Sequence, residues 1–110
     1  MCLKSFLVDL LYKIKIFPIT CTTSAPTLRA ISFARVFASS DIMLLGNESQ
    51  TIGPQDAPMA VHLTLLGSDV VLLEGVRLTD VSEGVYLLNA APLNLSGGDG
   101  APCRAILIAD

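Results

Sequence analysis

At 110 residues the chain has room for one small domain at most. With 52% hydrophobic and 15% charged residues its composition is not that of a disordered chain, and a net charge of −3 argues against a nucleic-acid partner, which needs a basic face. Trp is absent and aromatics are scarce, so a core must come from Leu, Val, Ile and Ala.

The charge is unevenly placed. Residues 1–37 carry five basic side chains against Asp9, a balance of +4. Residues 38–110 carry Arg77 and Arg104 against nine acids, a balance of −7. That break suggests two segments of different origin or task. Cys2, Cys21 and Cys103 are odd in number and widely spaced. They make neither a disulfide framework nor a C-x-x-C metal knuckle, and read as free thiols in a reducing cytosol.

Taken in order, residues 1–27 read poorly. Twenty apolar and basic residues are followed by a stretch of small polar ones. Asp9, Lys13 and Lys15 interrupt the apolar run, which counts against an export signal and against a membrane span. A short amphipathic surface helix is one reading, and a shifted frame ahead of a truncated domain is another. Residues 1–27 are therefore set apart from a domain over 28–110.

Residues 27–40 predict a helix, capped by Thr27, with Leu28, Ile31 and Phe37 on its apolar face. Residues 42–45 form a short buried strand ended by Gly46, and 47–56 form a polar loop. Asp56 then caps a second helix. Ala57 and Pro58 occupy its first turn, where a missing N–H costs nothing, and Gly67 stops it. Strands follow over 70–76, 85–91 and 104–109. A polar turn separates the first two, and a glycine-rich loop over 96–100 precedes the last. The order is helix, strand, helix, strand, strand, strand, which is mixed α/β.

Two side chains stand out. In the 70–76 strand, Val70, Leu72, Glu74 and Val76 share one face while Val71 and Leu73 load the other. A strand apolar on both faces is buried, so Glu74 must be paired, ligated or protonated. An ion pair with Arg77 or Arg104 satisfies that need, and so does a metal. His62 lies one turn from Met59 and Leu66 on the second helix. It reads either as a half-buried histidine with an ordinary hydrogen bond or as a ligand. Together the two fill two of the four or more positions of a zinc or manganese ion. The Gly97-Gly98-Asp99-Gly100 run is a hairpin loop rather than a phosphate cradle, because a strand follows it and not a helix. Ser49 and Ser96 have no elbow motif and no nearby histidine, so no Ser-His-Asp triad forms.

Four pieces of the sequence now resemble a known family. They are His62 with its Leu-rich helix, Leu73-Glu74-Gly75, Ala91-Pro92-Leu93 with the glycines after it, and Asp99-Gly100-Ala101-Pro102 with Arg104-Ala105. In order and spacing they are similar to the C-terminal part of the cyclase-like metal hydrolases, which include the bacterial arylformamidases. The resemblance is strong over 56–109, extends back to about residue 28, and leaves 1–27 uncovered.

The resemblance implies the C-terminal portion of a swivelling β/β/α domain. It implies a cytoplasmic, homo-oligomeric hydrolase of small-molecule amides, acting on N-formylkynurenine in tryptophan catabolism with a binuclear zinc or manganese site. On this chain it implies His62 and Glu74 as ligands of the second metal. It implies no catalytic residue here. The family motif HxGTHxDxPxH, which supplies the first-metal ligands and the acid/base histidine, is absent, and His62 is the only histidine. The loop after Gly46 also departs from the Asp-Thr-Pro-Ser of many relatives, reading Asn47-Glu48-Ser49. The chain alone is expected to be inactive. A half-domain leaves sheet edges and apolar faces uncovered, which favours pairing with other chains.

Overall fold

The computed structural model describes residues 3–9, 14–19 and 27–109, with side chains from residue 30 onward. In chain order the elements are β1 (Leu3–Asp9), β2 (Ile14–Ile19), α1 (Thr27–Ala38), β3 (Ile42–Asn47), α2 (Pro58–Leu66), β4 (Val71–Leu73), β5 (Leu87–Pro92) and β6 (Cys103–Ile108). Four strands form one sheet in the order β2-β1-β3-β4, and β5 pairs with β6. The fold is mixed α/β, as the element order indicates.

The N-terminal stretch corrects the expectation of a surface helix. β1 runs antiparallel to both β2 and β3, pairing Leu3 with Ile19 and Leu7 with Leu45. Phe6 and Val8 on β1 and Ile14, Ile16, Phe17 and Ile19 on β2 are residue types that suit a pleated surface better than a helix. Pro18 falls on β2, an edge strand, the kind of strand in which proline is tolerated. No helix among the described residues is long and apolar enough to cross a membrane.

β3, α2 and β4 make a parallel β-α-β unit, with Leu44, Leu45 and Gly46 opposite Val71, Leu72 and Leu73. Side-chain alternation along β3 then separates two cores. Leu45 turns toward the helices, packing with Ala34, Phe37, Val61, Leu65 and Val70. Leu44 turns the other way and joins Leu73, Val76, Tyr86, Leu88 and Leu107 around the buried Leu78. The molecule is thus three layers: helices, sheet, and the β5–β6 hairpin. On α1 the buried positions are Ala34 and Phe37. Ile31 is only half-buried, and the Leu28 and Thr27 side chains lie outside the described residues.

Three boundaries differ from expectation, each for a local reason. Asp56 does not cap α2. Ala57 is the N-cap, with no side-chain cap bond, because Pro58 takes the first helical position. Gly67 ends α2 in right-handed conformation (φ −66°), and the left-handed residue is Asp69 (φ 59°). Aspartate tolerates that region better than most residues. β3 continues through Gly46 to Asn47, because β1 extends the pairing opposite both.

β4 is only three residues long, not the seven expected over 70–76. Past Leu73 the backbone leaves the ladder. The Gly75 amide donates to the Ser49 carbonyl at 2.8 Å and the Val76 amide to the Asn47 carbonyl at 3.1 Å. Gly75 adopts φ 69°, which a side chain would oppose. The hairpin forms as expected. Leu87 faces Ile108 and Pro92 faces Cys103, and the Leu93 amide closes the ladder on the Pro102 carbonyl.

Candidate metal site at the carboxyl end of the parallel strands

In open α/β sheets, ligands gather beyond the carboxyl ends of parallel strands. Here that region holds the 48–57 loop after β3, the first turns of α2 and the residues just past β4. His62 reaches it from α2 and Glu74 from the end of β4. The two meet, with His62 Nε2 3.1 Å from Glu74 Oε1. Twelve residues of sequence separation close into one contact because α2 and β4 are successive arms of the same β-α-β unit.

Hydrogen bonding fixes which nitrogen does what. His62 Nδ1 lies 2.7 Å from the Pro58 carbonyl oxygen, one helical turn back. A carbonyl only accepts, so Nδ1 carries the proton and donates it. In the neutral ring Nε2 then presents a lone pair, and it presents it to a carboxylate oxygen. Two lone pairs at 3.1 Å repel unless a proton or a cation lies between them.

Glu74 Oε1 is also held, accepting the Ile52 N–H at 2.7 Å. Its partners are therefore His62 and a backbone amide, not the Arg77 or Arg104 of an ordinary ion pair. Nor does Glu74 sit in a strand buried on both faces. It follows β4, an edge strand, and keeps 28% side-chain exposure against 20% for His62.

The donor set suits a divalent ion of the zinc or manganese type. It offers an imidazole Nε2 whose other nitrogen is tied to a carbonyl, which is the usual support for a ligating histidine. It also offers a carboxylate oxygen aimed at the same point. Two ligands of one tetrahedral ion, each about 2.0–2.1 Å from it, stand roughly 3.3 Å apart, close to the separation found here. Among the described residues, however, no group of three or more His, Cys, Asp or Glu side chains converges. Cys103 is a free, half-buried thiol on β6, and Cys2 and Cys21 lie outside the described residues.

The other candidates have structural tasks. Ser49 donates its hydroxyl to the Thr51 carbonyl at 2.7 Å and also lies 3.1 Å from Asn47 Oδ1, a turn that shapes the loop. Glu48 Oε1 accepts the Leu78 N–H at 2.8 Å and ties the same loop to the hairpin-side core. Residues 97–100 belong to the β5–β6 connection. Sequence reasoning missed the Pro58 carbonyl and the Ile52 amide. Both are backbone groups, which no residue type announces.

Comparison with known proteins gives the site a context. No family profile matches the chain. The kynurenine formamidase of Salinibacter ruber is 41% identical over 71 residues, which are 64% of this chain and 34% of that protein. Cyclase-like protein 3 of Oryza sativa subsp. japonica is 38% identical over 71 residues, covering 64% of this chain and 26% of its own length. A solved structure, described as a potential metal-dependent hydrolase with cyclase activity, superposes with a TM-score of 0.60 at 39% identity. It covers 70% of this chain and 38% of that one. The matched stretch thus spans only about a third of the length of such relatives, or less. Over some two thirds of its residues the chain is a homologue of the kynurenine formamidases and cyclase-like proteins, and it shares its fold with a cyclase-type hydrolase.

Proposed function

We propose that this chain carries part of the metal centre of an arylformamidase-like hydrolase. In the whole protein that centre would cleave the formamide bond of N-formylkynurenine to give kynurenine and formate. The observation that carries the reading is the His62–Glu74 contact, with the ring tied through Nδ1 to the Pro58 carbonyl. His62 would offer Nε2 and Glu74 would offer Oε1 to a divalent zinc or manganese ion, one of the two of a binuclear centre. Such an ion, when bound, supplies Lewis acidity, acidifying water and polarising a carbonyl. The chain's own residues do the holding. The Ile52 amide fixes the carboxylate, the Pro58 carbonyl fixes the ring, and the Asn47–Ser49 turn walls the loop beside them. His62, the only histidine, is assigned as a ligand and leaves no histidine to protonate a leaving amine, so turnover by the chain alone is expected to be absent. We place the protein in the cytoplasm, as a homo-oligomer acting on a small molecule, with residues 28–110 as the hydrolase portion.

A second reading keeps the fold without catalysis, as an interaction module. It is favoured by the exposed Met59, Leu63 and Leu66 on α2 beside a site with two donors. A formamidase assay on the purified chain with added zinc or manganese, run with light scattering, separates the two. Turnover abolished by His62→Ala supports a self-sufficient enzyme. Metal binding by wild type but not His62→Ala, without turnover, supports part of a centre. A stable oligomer that binds no metal supports the module and removes the metal reading.

A further inference from the structure

The two bonds that orient the pair come from one short stretch of backbone. Ile52 donates its N–H to Glu74 Oε1, and Pro58, six residues on, accepts the His62 Nδ1 proton, both at 2.7 Å. Between them Gly53 lies against Pro58. A Cβ at Gly53 would overlap the Pro58 carbonyl oxygen, and would stand 2.8 Å from Pro58 Cα and 2.9 Å from its carbonyl carbon. All three are backbone atoms in the first turn of α2, so they cannot yield as the tip of a side chain can. The loop has little freedom to swing away instead. Pro54 is buried, and its carbonyl accepts the Ala57 N–H at 3.2 Å. The oxygen that a side chain at position 53 would strike is the one that holds His62.

We propose that Gly53 is a positioning residue for the His62–Glu74 pair. Its missing side chain lets residues 52–58 close on themselves. One backbone template then sets the imidazole tautomer and the carboxylate rotamer together. The consequence for ion binding rests on the reading of the pair as ligands; the tautomer and the rotamer do not.

Because His62 is the only histidine, its ring nitrogens give unambiguous 15N NMR signals. In the metal-free wild type the neutral ring is expected to carry its proton on Nδ1. Gly53→Ala, shown to be folded by circular dichroism, is expected to mix the two tautomers and to weaken zinc binding at least tenfold by titration calorimetry. A folded Gly53→Ala chain with wild-type ring shifts and zinc affinity overturns the proposal. If that variant does not fold, the wild type decides. A protected Ile52 amide in hydrogen exchange together with the Nδ1–H tautomer supports the template, and a fast-exchanging Ile52 amide or an Nε2–H tautomer overturns it. A wild type that binds no zinc, yet keeps a tautomer that Gly53→Ala scrambles, leaves the template standing and removes the proposed metal function instead.

Discussion

The β3-α2-β4 unit and the β5–β6 hairpin are built to different standards of closure. The first packs Leu45, Val61, Leu65 and Val70, each no more than 2% exposed, under two helices. The second gathers its inward residues Leu88 and Leu107, both only half-buried, around Leu78. Its other face leaves Leu87, Ile106 and Ile108 in the open. The candidate site belongs wholly to the first region. A histidine on a helix and a carboxylate after a strand hold one contact only if the elements beneath them keep their spacing, and a closed core does that. The hairpin covers the back of the sheet and places no donor at the site.

The largest expected effect tests that difference in closure. Leu65→Ala removes a fully buried side chain and should destabilise the chain by about 2–5 kcal/mol in urea unfolding. Leu88→Ala removes a half-buried one from the hairpin and should cost about 1 kcal/mol. Equal losses would mean that the two regions share one core.

Next comes the pair itself. Glu74→Gln keeps the side-chain size and removes the charge. Zinc affinity should fall at least tenfold, about 1.4 kcal/mol, by calorimetry. Without metal the cost should be smaller, about 1 kcal/mol, for the following reason. The same Oε1 both accepts the Ile52 N–H and faces His62 Nε2, and an amide cannot serve as acceptor and donor through one atom. A Gln variant that binds zinc like the wild type would show that the carboxylate is not a ligand.

How far the sequence could be read follows the same division. Both helices, β3 and the hairpin are legible because apolar spacing and Gly or Pro punctuation act locally. That Glu74 needs a partner is legible, since a carboxylate among apolar neighbours demands one, but the sequence offers Arg77, Arg104 or a metal, and the partners found are His62 and the Ile52 amide. Glu74 does not, however, lie inside a strand buried on both faces. β4 stops at Leu73 on a sheet edge, and Glu74 is half-exposed because it lies past the strand. Strand alternation cannot tell an edge from a centre, since that depends on which strands pair. The β1–β2 pairing was hidden for the same reason. The stretch that holds β1 and β2 has mixed charge and no clean period, and it becomes sheet only because β3 offers β1 an edge. The α2 cap misled in a simpler way, with Pro58 shifting the helix start past the better capping residue.

Smaller effects sharpen the loop's role. Ser49→Ala removes a 2.7 Å bond to the Thr51 carbonyl and a 3.1 Å contact with Asn47 Oδ1. Thermal unfolding should show a loss of about 1 kcal/mol, the usual net worth of such a hydrogen bond. The loop carries Ile52 to Glu74, so zinc affinity should drop by no more than a few-fold if Ser49 only shapes the turn. A complete loss of binding would make Ser49 part of the site.

The smallest change in stability is expected on the outer face of the hairpin, and it separates folding from association there. Ile106 projects from β6 into solvent opposite Asn89, with Leu87 and Ile108 on the same face. Ile106→Thr keeps a β-branched side chain, so strand preference is preserved while apolar area is lost. Stability should shift by less than about 0.5 kcal/mol, as for most exposed positions. The proposed homo-oligomer, followed by sedimentation velocity, should nonetheless weaken if this face is its contact surface, because the patch is one that another copy can cover and water solvates poorly. If association is unchanged in Ile106→Thr but lost in Met59→Thr, the contact surface lies on α2 beside His62. The closed region would then carry both the site and the interface, and the hairpin would serve only as the back wall of the sheet.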